Sequence, residues 1–236
     1  MEIKGWVRTS LIDFPGHIAA VVFTGGCNFR CPMCHNGDLV LRPAALPTLG
    51  ADEVLGFLQK RAGKVTGLVV TGGEPTLQPD LADFLREVRA AGCAVKLDTN
   101  GYRPDVLGSL LGDGLVDYVA MDVKAPEESY GTVAGVASLD VSRIARSISL
   151  LCRTGIQVEF RTTVVPGLLS APDIEVIAAW LAELGGGGAT YTLQQFRGGS
   201  TLDPALANAT PYSSDELRAM AEGARLWLQT VRSRGI

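Results

Sequence analysis

Histidine is nearly missing from these 236 residues, which carry only His17 and His35. A histidine-rich zinc hydrolase site is therefore excluded. Excess charge is missing too: Lys+Arg number 21 against Asp+Glu 25, with no basic run, which argues against a nucleic-acid-coating role. No stretch of about 18 apolar residues is available to span a bilayer. The opening MEIKGWVRTS carries charges and no apolar core, unlike a signal peptide. The expectation is a cytoplasmic protein with neither nucleic acid nor membrane among its partners. No GxGxxG follows a strand-like run, Gly63-Lys64 lacks the frame of a phosphate loop, and GxSxG is absent, which removes three common chemistries. Charged residues make up 19% and apolar ones 47%, so the chain is not disordered.

What the chain does have is clustered cysteine. The count is five, an odd number that argues against a disulfide scaffold in a reducing compartment. Cys27, Cys31 and Cys34 lie within eight residues, in CNFRCPMC. Zinc is one reading, with His35 as fourth ligand, although adjacent Cys34 and His35 rarely converge on one tetrahedral ion. An iron–sulfur cluster held by three cysteines, leaving one iron open for substrate, is the other. Cys93 and Cys152 fall at a strand start and a helix end and read as buried structural residues.

Short β-branched runs alternate with amphipathic ones. Strands are expected at residues 18–24, 68–71, 94–98, 116–122, 158–165 and 190–196. Helices are expected near residues 52–61, 80–91, 104–111, 140–153 and 173–184, with a last one over 213–232. Asp52, Asp80, Asp140 and Asp173 mark helix starts, and Gly92, Gly155 and the glycines at 185–188 mark stops. Six strand–helix units with apolar strands imply an α/β fold with a parallel sheet. The length fits one domain over residues 1–236. It divides into a lead-in of residues 1–17, six units over 18–196 and a helical tail over 197–236.

The unusual residues fall at strand ends. The cysteines follow the first strand, TGGEPT (Thr71–Thr76) the second, DTNG (Asp98–Gly101) ends the third and MDVK (Met121–Lys124) the fourth. Arg161 lies in the fifth strand, and the sixth runs into Gln194–Arg197. Carboxyl ends of parallel strands form the ligand-binding edge, so one site built from all six units is expected.

CxxxCxxC after the first strand and GGE after the second resemble the radical S-adenosylmethionine superfamily. The string SLIDFPGHIAAVVFTGGCNFRCPMCHN resembles the glycyl-radical-enzyme activases, most of all those serving anaerobic ribonucleoside-triphosphate reductase. The resemblance implies a single-domain partial (β/α)6 barrel. It implies a radical enzyme that reductively cleaves S-adenosylmethionine and abstracts hydrogen from a glycine Cα of a partner, with flavodoxin or ferredoxin as electron donor. An activase of another glycyl-radical enzyme, a radical enzyme on a small molecule and a zinc-stabilised binding module are the alternatives.

By this resemblance Cys27, Cys31 and Cys34 each ligate one iron of a 4Fe–4S cluster whose fourth iron takes S-adenosylmethionine. Gly72 and Gly73 let backbone approach the methionine moiety. Glu74 acts on the ligand's ammonium or holds its own turn. Lys124 and Arg161 pair with the cofactor carboxylate. Asp98, Asn100 and Asp122 bind ribose or amino groups or order Lys124, and Asp98, Thr99 and Asp122 share a monovalent cation. Met33 replaces the family's aromatic residue beside the adenine. His35 belongs to the cofactor-binding set, with Gln195 or Arg197 as a further contact. Arg197 stands where formate-lyase activases tend to carry histidine, which favours the reductase branch. Asp13, Pro15 and Gly16 match the activase lead-in and would help seat the partner's glycyl loop.

Overall fold

The computed structural model describes residues 1–235, and their backbone contacts divide into two compact units with interleaved chain segments. The first takes Met1–Asn28, Asp38–Thr99 and Asp105–Ala120; the second takes Phe29–Gly37, Asn100–Pro104 and the chain from Met121 onward.

In the first unit, β1 (Ile3–Ser10) pairs antiparallel with β2 (Ala19–Thr24). Then come α1 (Gly37–Leu41), α2 (Ala51–Lys60), β3 (Gly67–Gly72), α3 (Leu81–Ala90), β4 (Ala94–Thr99), α4 (Pro104–Gly112) and the start of β5 (Tyr118–Asp122). β2, β3 and β4 are parallel neighbours, with Val21 opposite Val69 and Val69 opposite Lys96. AAVVFT and GLVVTG are buried nearly throughout, as parallel strands covered on both faces must be. Phe14, Ala19, Val21, Val69, Tyr118 and Ala120 form an apolar cluster here.

In the second unit, α5 (Tyr130–Ala134), α6 (Val141–Cys152), β6 (Gln157–Val164), α7 (Ala171–Glu183), β7 (Thr190–Gln195), α8 (Ser214–Ala224) and β8 (Thr230–Arg234) follow one another. β6, β7 and β8 are parallel neighbours. Tyr130 packs edge-on to Trp180 in its core. Asp140 accepts a hydrogen bond from the Ser142 N–H at the start of α6, and a reciprocal Ser213–Glu216 pair opens α8, each satisfying first-turn donors.

The six expected strands are present as β2–β7. Two more were not anticipated. The lead-in contains β1, whose pairing shifts register between Ile3 and Gly5 and between Val7 and Ser10, and such irregularities erase period-two alternation. The helix expected over 213–232 stops at Ala224, and Thr230–Arg234 forms β8, with Val231 buried opposite Tyr191. Among the described residues no helix is long and apolar enough to cross a membrane.

Candidate functional site

In the first unit the polar residues gather at the carboxyl ends of β2, β3 and β4. Gly72, at φ +122°, and Gly73 pack against the chain leaving β2: a Cβ on Gly72 would stand 2.2 Å from the Thr24 nitrogen, and one on Gly73 1.9 Å from the Gly26 oxygen. Gly73 N–H donates to Thr24 O at 2.9 Å and Glu74 N–H to Gly26 O at 2.8 Å. The double glycine thus lets two backbones lock together immediately before Cys27.

Glu74 is buried. Its Oε1 accepts from Thr76 N–H at 3.1 Å, Thr76 Oγ1 at 2.5 Å and Thr99 Oγ1 at 2.7 Å. These bonds hold the turn that follows β3. Gln78, unremarked in the sequence, is buried and donates Nε2 to Gly25 O at 2.9 Å, while its Oε1 accepts from Glu2 N–H at 2.9 Å. Asp98 receives the Lys96 ammonium on Oδ1 at 2.6 Å.

In the second unit the cysteine loop is fastened through its main chain. Arg30 N–H donates to Ala134 O at 2.8 Å, and the same oxygen lies 3.8 Å from Cys31 Sγ. Gly135, at φ +66°, closes α5 where a Cβ would stand 2.2 Å from Arg30 O. Cys34 O and Pro32 O accept from the N–H groups of Leu202 and Asp203, both at 2.9 Å. Met33 is buried. His35 Nε2 lies 2.7 Å from Arg197 O, and its ring stacks on Phe196.

Asp122, at the end of β5, accepts from Arg161 Nε on one oxygen at 2.8 Å and from Lys124 Nζ on the other at 2.9 Å. Burial pushes its carboxyl up, but the charges and hydrogen bonds of Arg161 and Lys124 outweigh this and bring it down to about 2. Burial pulls Lys124 down, yet the Asp122 carboxylate, with Cys31 after it, holds the ammonium well above the usual lysine value. Burial pushes the Cys31 thiol up, and Lys124 opposes that shift. Tyr130 donates to Asp122 O at 3.4 Å. Asn100 is buried and turns its Oδ1 to the Tyr102 N–H at 3.0 Å.

A cavity of about 250 Å³ opens in this unit between His35, Thr163, Gln194, Gln195, Arg197 and Arg234. Gln194 Oε1 and Gln195 Oε1 are buried with no hydrogen-bond partner among the described residues. Arg234, missed because its strand reads as helix, donates to the buried Glu159 carboxylate at 2.9 Å. In the lead-in of the first unit, Asp13 Oδ2 accepts from Ser10 Oγ at 2.5 Å beside exposed Leu11 and Ile12.

Among the described residues none of the five cysteines is joined in a disulfide. Cys93 is buried with Sγ 3.8 Å from Val65 O, and the Cys152 Sγ packs 3.5 Å from where a Cβ on Gly186 would stand. Among the described residues no three His, Cys, Asp or Glu side chains are grouped around a point where one ion would sit. A single zinc needs its sulfurs about 2.3 Å from one centre, whereas a cubane cluster spreads its thiolates over separate irons.

Residues 21–179 match the Radical SAM superfamily. A Methanocaldococcus jannaschii protein, provisionally named a glycyl-radical enzyme activating enzyme, is 33% identical over 99% of this chain and 96% of its own length. The pyruvate formate-lyase-activating enzyme of Clostridium pasteurianum is 30% identical over 69% of this chain and 68% of its own. Streptococcus suis SuiB bound to precursor peptide SuiA aligns with a TM-score of 0.69 over 91% of this chain, at 13% identity; this chain spans 48% of that one. That likeness shows the fold alone, and the fold is the α/β one expected.

Proposed function

Because the chain belongs to the radical SAM superfamily, we propose that it is an activase that places a glycyl radical on a partner enzyme, the partner being an anaerobic ribonucleoside-triphosphate reductase. The end-to-end match to the Methanocaldococcus jannaschii relative carries the activase part of this reading. Arg197, where formate-lyase activases tend to carry histidine, favours the reductase as partner. A flavodoxin or ferredoxin would deliver the electron.

The family's cofactors are a 4Fe–4S cluster and S-adenosylmethionine, and the donor set fits them. One loop presents three thiols, and the other two cysteines pack against Val65 and Gly186. When bound, the pair supplies reductive carbon–sulfur cleavage and hydrogen-atom abstraction. Cys27, Cys31 and Cys34 would hold the cluster. Burial raises the Cys31 thiol and Lys124 offsets part of that rise, so the thiolate that iron requires would form on metal binding. Arg161 and Lys124 fix Asp122 on both oxygens, so its carboxylate is oriented to accept from a ribose hydroxyl and orders Lys124 in turn. Met33, His35, Asn100 and Arg197 would complete the cofactor's surroundings. The two unpartnered glutamine oxygens offer acceptors to an amino donor such as that of adenine.

Anaerobic reconstitution with iron and sulfide tests this reading. We expect about four irons per chain, 5′-deoxyadenosine on reduction and a glycyl radical signal on the reductase, with Cys31→Ala silent in all three. A loaded chain that gives a radical on formate lyase and none on the reductase overturns the partner. A chain that takes up no iron overturns the whole.

A further inference from the structure

Lys96 is the one residue of β4 whose chemistry conflicts with its surroundings. It is 4% exposed, sits in register with Val69, and its ammonium lies 5.7 Å from the centre of the Tyr118 ring, with Val69 and Tyr118 both in the apolar cluster of the first unit. Burying an ammonium is costly without a partner. Its partner is Asp98, two residues on and hence on the same face of the strand, with Nζ 2.6 Å from Oδ1. Replacing such a pair by apolar residues is often neutral or stabilising, so stability alone gives no reason to keep a charge here.

The resemblance implied a monovalent metal ion shared by Asp98, Thr99 and Asp122, and these residues do not fit one. The Asp98 carboxylate already carries a compact, single positive charge at contact distance. Asp122 has a cation on each oxygen, Arg161 Nε and Lys124 Nζ. A metal ion added beside Asp98 would face the Lys96 ammonium with no carboxylate charge left to offset it.

We infer that the Lys96 ammonium is the resident cation of the Asp98 carboxylate, making Lys96 a positioning residue for the DTNG turn and the protein independent of monovalent metal ions. The consequence for cofactor affinity rests on the activase reading; the ion chemistry does not.

The test compares the reconstituted chain with Lys96→Met, of similar length and no charge, in potassium chloride and in choline chloride of equal ionic strength. Potassium binding is followed by calorimetry, folding by the thermal midpoint and S-adenosylmethionine affinity by equilibrium dialysis. The unmodified chain should bind no potassium and show the same midpoint and affinity in both salts. Lys96→Met should gain saturable potassium binding, and potassium should restore an S-adenosylmethionine affinity that falls about tenfold in choline. A merely structural lysine would not create that rescue. Saturable potassium binding by the unmodified chain overturns the inference, and so does a folded Lys96→Met indifferent to potassium. Lys96→Gln replaces it if the methionine variant does not fold, and if neither folds the response of the unmodified chain decides. Absence of 5′-deoxyadenosine would count against the activase reading and leave the potassium result standing.

Discussion

Thr99 donates its hydroxyl to Glu74 Oε1 at 2.7 Å, tying the end of β4 to the turn that follows β3. The same oxygen holds both donors of Thr76. Glu74→Ala leaves three donors without this acceptor, each costing about 1–3 kcal/mol if it stays buried. We expect the thermal midpoint to fall by about 10 °C. Glu74→Gln keeps an acceptor and should lose less than half as much. Equal losses in the two variants would show that the charge, rather than the hydrogen bonds, secures the turn.

Gly73→Ala should be more damaging than its one methyl group suggests. The new Cβ has the Gly26 carbonyl at 1.9 Å, and that contact is backbone, so β2's continuation must move. A loss of about 1–3 kcal/mol is expected, together with poorer iron uptake because Cys27 follows Gly26 directly. Iron analysis and thermal unfolding read the two effects, and a variant as stable and as fully loaded as the parent contradicts the geometry.

Acid stability should register Asp122. Its carboxyl is lowered to about 2 in the folded chain, below the value of about 3.9 expected when unfolded. A lowered carboxyl contributes stability that is fully present above about pH 4 and is lost as the pH falls through 2. The contribution is on the order of 2 kcal/mol. Urea unfolding of the cluster-free chain between pH 5 and pH 2 should show it as a slope, and Asp122→Asn should flatten that slope while lowering stability at neutral pH.

Arg234→Ala removes the ion-pair partner of buried Glu159, whose Oε1 still accepts from the Thr192 hydroxyl at 2.5 Å. Arg234 is itself half exposed, so we expect only about 1–2 kcal/mol. The cavity beside His35 and Arg197 also loses part of its wall. The affinity for S-adenosylmethionine should fall several-fold, with the rate at saturation little changed. A fall in the saturated rate alone would show that this cavity does not hold S-adenosylmethionine.

The strand–helix rhythm was legible because parallel strands and amphipathic helices advertise themselves through unbroken apolar runs and a 3.6-residue period. β1 was not, since its bulges and its glycine hide alternation. β8 was not, since SDELRAMAEGARLWLQTVRSR reads as one helical stretch while only its first half, Ser214–Ala224, is helix. The cysteines, the double glycine and the Asp122–Lys124 pair were visible as motifs. Lys96, Gln78 and Arg234 were not, because each gains its meaning from a partner on another element or a buried position that one sequence does not display. Glu74 was visible as a residue, but its burial and its three donors were not, since they depend on Thr76 and on Thr99 of another strand.

The loop between Asn28 and Asn36 is pinned by Ala134, Leu202 and Asp203 through main-chain contacts, with Met33 buried and the His35 ring stacked on Phe196. Loading a cluster onto Cys31 and Cys34 is then closer to docking on a prepared surface than to folding around metal, since the ordering entropy of the loop is met by the scaffold. Oxygen damage that strips the iron would leave the seat standing, and repair would need fresh iron and sulfide with no refolding of the chain.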